Sequence, residues 1–76
     1  IRYDDEADVL YIAFGEPRPA IGVEVTAGDV VRIDAASGEI VGITIIDFKD
    51  RYMQSPSQDI ERSARIVIPQ ILDRYK

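Results

Sequence analysis

Apolar residues recur at every second position in several short segments of the first fifty residues. This alternation is typical of strands that rest one face on a core. It predicts strands at residues 1–3, 9–14, 20–25, 30–34 and 40–46, with turn-forming residues between them. The connections are too short for parallel crossovers. We therefore predict an α+β fold whose sheet is an antiparallel β-meander of about five strands.

The same alternation divides the side chains between two faces of the sheet. The predicted core face consists of Leu10, Ile12, Phe14, Ile21, Val23, Val25, Val31, Ile33, Val41, Ile43 and Ile45. The opposite face mixes the apolar residues Val9, Tyr11, Val30, Ile40 and Ile46 with Gly22, Glu24, Arg32 and Thr44. An apolar patch of this kind usually marks an interface.

The last part of the chain changes to a helical period, which predicts a helical tail at residues 51–76. One helical stripe contains Ile60, Ala64, Val67, Ile68, Ile71, Leu72 and Tyr75. The sequence Ser55-Pro56-Ser57-Gln58 predicts the helix start, with Ser55 as the N-cap. Pro69 removes a backbone donor and predicts two helical pieces, or one sharply kinked helix, with the break near Ile68. The rival interpretation is a sixth strand at residues 65–68.

Length and composition are those of one globular domain, residues 1–76. The chain has 76 residues, of which 46% are apolar and 30% charged. It has no cysteine and no histidine, so disulfides are excluded and structural zinc is disfavoured. No apolar run approaches the roughly 20 residues of a membrane span, so we expect a cytoplasmic protein without a membrane partner.

Charge is unevenly distributed along the chain, whose net charge is −5. Residues 1–50 hold eleven acidic and four basic residues, a balance of −7, and residues 51–76 hold three acidic and five basic, a balance of +2. The acidic part would repel phosphate at long range. The basic tail could still dock on the acidic part, on a neighbouring subunit or on another partner.

Three segments carry a family resemblance. Residues 3–12 read Tyr-Asp-Asp-Glu-Ala-Asp-Val-Leu-Tyr-Ile, residues 30–34 Val-Val-Arg-Ile-Asp, and residues 38–47 Gly-Glu-Ile-Val-Gly-Ile-Thr-Ile-Ile-Asp. They resemble the opening, middle and closing strands of domain of unknown function family 2283, a group of bacterial and archaeal proteins, over residues 1 to about 48. The resemblance implies a small β-rich fold and assigns no catalytic residue. Since such proteins are sometimes encoded beside small toxin-like proteins, it also implies an antitoxin-like role as one possibility.

The candidate chemistry is sparse. Asp4, Asp5 and Asp8 are oxygen ligands of the kind that calcium and magnesium prefer, but they lack the spacing of a calcium loop. A solvated hairpin turn explains them better. We predict no catalytic residue and no cofactor, and a small metal-dependent or carboxylate-based enzyme working through residues 4–8 remains an alternative.

A second alternative is a nucleic-acid binder that uses the basic residues of the tail. These residues are Arg51, Arg62, Arg65, Arg74 and Lys76. Acidic residues are interspersed among them and no recognition motif is present, so a solvated helix face is favoured.

The sequence therefore favours a non-enzymatic protein–protein interaction module. Its partner would be a second copy of the chain, in a homodimer, or another small protein. The interface candidates are Tyr11, Val30, Ile40, Ile46 and Tyr75.

Overall fold

The computed structural model describes residues 1–53 and 59–75. The strands are β1 (Arg2–Asp4), β2 (Val9–Ala13), β3 (Ile21–Thr26), β4 (Asp29–Ile33) and β5 (Ile40–Ile46). Two helices follow, α1 (Phe48–Tyr52) and α2 (Ile60–Tyr75). The predicted five-stranded antiparallel sheet with a C-terminal helix is confirmed.

The strand order differs from that of the predicted β-meander, in which consecutive strands are neighbours. The sheet runs β1-β2-β5-β4-β3, so β5 lies in the centre and pairs with β2. Residues 14–20 connect β2 to β3 across three strand spacings, about 14 Å. An extended chain of that length spans about 23 Å and reaches easily. The most apolar strand thereby gains a neighbour on both sides.

A β-bulge changes the predicted faces of β5. Arg32 pairs with Gly42 while the next residue, Ile33, pairs with Ile40, which leaves Val41 as the extra residue. Ile40 consequently packs against the core and does not belong to the opposite face, as the alternation had suggested. Gly42 has no room for a side chain, because a Cβ there would lie 2.6 Å from the carbonyl oxygen of Ile12.

The core lies between the sheet and the two helices. Six of the predicted core-face residues belong to its buried cluster, and Val23 and Val25 pack against that cluster while partly buried. Val41 is buried outside the cluster, and Phe14 and Ile21 are not buried, with exposed fractions of 38% and 56%. Ile21 begins an edge strand, so only one neighbouring strand flanks it. Phe48, which the alternation did not assign, is completely buried. The buried cluster comprises Leu10, Ile12, Val31, Ile33, Ile43, Ile45, Phe48, Ala64, Val67 and Ile71.

The predicted helical stripe is confirmed, since all of its residues are buried in the core or packed against it. The expected break near Ile68 is not seen, and residues 65–68 are helical, which rules out the sixth strand. Pro69 lies inside one helix, where Val67 and Ile71 on either side of it are buried and offset its lost hydrogen bond. Neither helix of the described residues is long and apolar enough to cross a bilayer.

The start of α2 is capped by Asp59, whose side chain accepts a hydrogen bond from the amide of Glu61 at 2.9 Å. The predicted N-cap Ser55 lies outside the described residues. The helical part begins at Phe48, slightly earlier than the expected residue 51.

A buried carboxylate fastens both helices to the sheet. Asp29 is the first residue of β4, and its side chain is completely buried. Its Oδ2 atom accepts hydrogen bonds from the Arg51 guanidinium at 2.8 Å, from the Tyr52 hydroxyl at 2.6 Å and from the Thr26 hydroxyl. Arg74, in the last turn of α2, places its guanidinium 4.0 Å from the same oxygen. The basic tail therefore docks on the acidic part of its own chain.

Arg51 is held at a second point, because its guanidinium also donates to the carbonyl of Ile46 at 2.8 Å. It passes directly over Gly28, where a Cβ atom would lie 2.7 Å from the guanidinium. Gly28 also has a φ of +92°, which few other residues adopt. The turn before β4 thus requires glycine for both the backbone and the arginine.

Two opposing effects set the pKa of Asp29. Burial raises it, but the hydrogen bonds from Arg51, Thr26 and Tyr52 together outweigh burial and hold the pKa below its ordinary value. The second oxygen, Oδ1, is buried without a hydrogen-bond partner among the described residues. The charge of Asp29 is thus compensated almost entirely through one oxygen.

Asp29→Asn should lower the free energy of unfolding by about 2–4 kcal/mol near neutral pH, because it leaves Arg51 without a buried counter-charge. Since the folded-state pKa of Asp29 is lowered, its charge stabilises the fold above the unfolded-state pKa. This contribution disappears as the pH falls through the folded-state pKa. Urea unfolding from neutral to strongly acidic pH should therefore show the two proteins converging in acid. A constant difference would contradict this role.

Ile43→Ala should lower the free energy of unfolding by about 2–5 kcal/mol, because Ile43 is completely buried in the central strand. Ile66→Ala is the matched control, since Ile66 is 61% exposed on α2 and should change stability by no more than about 0.5 kcal/mol. Denaturant unfolding measures both. Equal losses would mean that the faces are assigned wrongly.

Candidate functional site

One face of the sheet remains free of the helices. Both α1 and α2 place their buried apolar side chains in the core cluster on the other side. Pairing register and alternation define this open face. It comprises Arg2, Asp4, Val9, Tyr11, Ala13, Gly22, Glu24, Val30, Arg32, Gly42, Thr44 and Ile46.

A single row of side chains crosses the middle of the open face from edge to edge. Pairing places Arg2 beside Tyr11 and Tyr11 beside Thr44, then Thr44 beside Val30 and Val30 beside Glu24. The row thus has a cation at one edge, an anion at the other and a mainly apolar centre. The guanidinium of Arg2 lies over the Tyr11 ring, 4.3 Å from its centroid.

Sequence reasoning did not assign Arg2 to this surface. The signal was available in the first strand, since Arg2 precedes Tyr3, which packs against the core. Neighbouring strand residues point to opposite faces, so Arg2 lies on the open one. The strand is only three residues long, too short for its alternation to be recognised.

Apolar side chains in the open face are partly accessible. Ile46 is 42% exposed, and Val9, Tyr11 and Val30 are half-buried. A shallow depression of about 310 Å³ lies beside Tyr11, bounded by Arg2, Arg32, Thr44 and other residues. Among the described residues, the face is therefore a broad surface with a shallow depression beside Tyr11.

Three of the five interface candidates, Tyr11, Val30 and Ile46, lie on the open face. The other two, Ile40 and Tyr75, pack against the core cluster on the opposite side. The bulge at Val41 moved Ile40 there, and the helical stripe carries Tyr75 there.

The carboxylates of the acidic turn between β1 and β2 form hydrogen bonds and ion pairs that stabilise the fold. Asp4 accepts hydrogen bonds from the amides of Glu6 and Ala7, at 3.1 and 3.2 Å, and so closes the turn. Asp5 is solvent-exposed and lies 3.8 Å from the ammonium group of Lys49.

Asp8 links the same turn to the start of α1. Its carboxylate accepts hydrogen bonds from the amides of Lys49 at 2.9 Å and Asp50 at 3.2 Å, and from the Tyr3 hydroxyl at 2.6 Å. Burial raises the pKa of Asp8, but these three hydrogen bonds outweigh burial and lower it overall. Burial and the contact with Asp8 raise the pKa of Tyr3 to about 12. Asp8 therefore caps a helix some forty residues away in sequence.

The described residues contain no group of three or more acidic, histidine or cysteine side chains arranged to hold a metal ion. The three candidate carboxylates have separate partners. Asp4 accepts a hydrogen bond within the turn, Asp5 faces Lys49, and Asp8 caps α1. The interpretation of residues 4–8 as a hairpin turn explains these contacts, whereas the interpretation as a metal site explains none of them.

Within residues 51–53 and 59–75, the basic residues of the tail do not gather into one free stripe. Arg51 and Arg74 face the buried Asp29, and Arg65 pairs with Glu61 on the same helix at 2.8 Å. Lys76 lies outside the described residues. Three of these arginines thus compensate acidic groups of the same chain.

Asp8→Ala should lower the free energy of unfolding by about 2–3 kcal/mol, from the lost helix cap and from a left-handed φ of 55° that alanine tolerates poorly. Asp8→Asn should cost less, because asparagine tolerates that φ and keeps one acceptor. Asp5→Ala in the same turn is the control and should stay within about 0.5 kcal/mol. Thermal or urea unfolding ranks the three, and a larger loss for Asp5→Ala would refute the capping role.

Comparison with known proteins gives one match, at the level of the family. No curated protein and no solved structure matches the chain. The model of the family described as protein of unknown function (DUF2283) matches residues 1–49, the whole sheet and the first residues of α1. Helix α2 lies outside this segment, although it completes the core. With well over half of its length matched, the chain belongs to the DUF2283 family.

Proposed function

We propose that this protein is a non-enzymatic protein-binding module and that the open face is its binding surface. The observation that carries the proposal is the division of the sheet into two faces, both with apolar side chains, of which the helices cover only one. Exposed apolar patches with a polar rim are typical of protein interfaces.

The composition of the open face supports this role. Tyrosine and arginine are enriched at protein interfaces. On the open face Arg2 lies over Tyr11 at one edge, and Val30 and Ile46 lie nearer the centre. Polar residues at the edges, such as Glu24 and Asp4, provide the rim. Gly42 and Ala13 pair in the next row, where their small size lets another chain approach the sheet closely.

The chemistry of the chain argues against catalysis at this surface. The chain lacks histidine and cysteine, and the depression beside Tyr11 contains no carboxylate or serine among its described lining residues. The acidic residues that could have acted as ligands or acids instead cap and close turns. Binding needs only shape and charge, and the open face supplies both.

Photo-crosslinking tests the proposal directly. A photoreactive phenylalanine at Tyr11 should give a discrete crosslinked product in cells of the source organism, because that position lies at the centre of the surface. Its mass identifies the partner, whether a second copy or another protein.

The matched control is the same photoreactive residue at Ile66, which is exposed and apolar but lies on α2. The product from position 11 should disappear when Ile46→Lys is added, since that change places a charge in the same surface. Absence of a product at position 11, or an equal product at position 66, would refute the proposed binding surface.

A further inference from the structure

Resting on this binding role, we infer that the partner is a second copy of the chain. The two sheets would stack through their open faces around a two-fold axis that runs along β5. In this arrangement Arg2 of each copy meets Glu24 of the other.

The strand order makes the open face symmetric about β5. In the order β1-β2-β5-β4-β3, β5 has two strands on each side. A two-fold axis along β5 places β2 over the partner's β4 and β1 over the partner's β3. The same patch thus faces itself, as an isologous dimer requires.

The central row then becomes complementary from end to end. Arg2 and Glu24 occupy its two ends, so the axis brings each arginine opposite the partner's glutamate, twice per dimer. Stacked sheets lie about 10 Å apart, within reach of an arginine and a glutamate that extend toward each other. Glu24 forms no ion pair with any of the described residues.

The inner positions of the row match as well. The axis places Tyr11 on β2 against the partner's Val30 on β4, and Thr44 near its own copy. Ile46, one row away on β5, also lies near the axis and meets its equivalent. An apolar centre flanked by two ion pairs has the usual anatomy of a protein interface.

The charge of the open face permits two acidic chains to approach. The chain carries a net charge of −5. On the open face, however, Arg2 and Arg32 balance Asp4 and Glu24, so the face itself is neutral. The alternative two-fold axis, across the strands, would instead place like-charged edges together, which disfavours it.

The area of the open face determines the expected affinity of the dimer. Five strands about 4.8 Å apart and about 17 Å long give a plan area of roughly 400 Å² per copy. This is about half of the roughly 800 Å² per partner of a standard interface, and it corresponds to a weak, transient one. We therefore expect a dimer that dissociates in the micromolar range, which analytical ultracentrifugation over a concentration series resolves.

Charge reversal tests the pairing of Arg2 with Glu24. The parent should sediment as a dimer at high micromolar concentration. Arg2→Glu alone and Glu24→Arg alone should each weaken the dimer at least about tenfold, because each homodimer then holds two like-charge contacts. An equimolar mixture of the two variants should recover the parent affinity as a heterodimer, since both opposite-charge contacts return.

The double variant Arg2→Glu, Glu24→Arg should also dimerise, which separates the ion pairs from any loss of the Arg2–Tyr11 contact. Circular dichroism and melting verify that each variant is folded. A monomeric parent, or a dimer indifferent to all of these changes, would overturn the inference. A monomeric parent that still crosslinks through position 11 to another protein would leave the binding role intact and refute only the self-pairing.

Discussion

The structure depends on how a single buried carboxylate is compensated. Asp29 lies on the core face of the sheet, and removing its charge from water is costly unless that charge is paired. Donors from the end of β3 and from α1 supply the pairing, and Arg74 of α2 adds a more distant positive charge. Helix α1 is therefore held to one particular face by hydrogen bonds as well as by apolar burial, and α2 is held there by apolar burial and by the charge of Arg74. Apolar contacts alone would allow α1 to slide, whereas the geometry around one oxygen does not.

A second polar link fixes the same arrangement on the other side of β5. The opening turn looks like a ligand cluster in the sequence, but Asp8 uses its oxygens to cap α1 and to hold Tyr3. Tyr3 in turn packs edge-on against the buried Phe48. The segment that matches the family is thus a structural unit in which the first hairpin determines where the chain turns into its helices. This explains why acidic residues are dense there without forming a site.

Both helices pack on the core face, so the open face is the surface available for the proposed binding role. The open face has apolar side chains at its centre, opposite charges at the ends of its middle row and no net charge, in a chain that is otherwise acidic. Placing β5 in the middle gives that surface its symmetry. A consecutive meander would have put β3 in the middle, and the same residues would then have formed a different pattern of neighbours.

The sequence by itself determined the local elements. Alternation located the five strands and the 3.6-residue period located the apolar stripe of α2, because both depend only on near neighbours along the chain. It could not determine the strand order, since the pairing of β2 with β5 joins residues some thirty positions apart. For the same reason the bulge that turns Ile40 into the core, the burial of Phe48 and the continuity of α2 through Pro69 were decided only by tertiary packing. The roles of Asp29 and Asp8 also came from the folded structure, because their partners approach only when the helices close over the sheet.

The apolar residues of the open face were visible in the sequence, but their arrangement into one row with Arg2 and Glu24 at its ends required the register of all five strands.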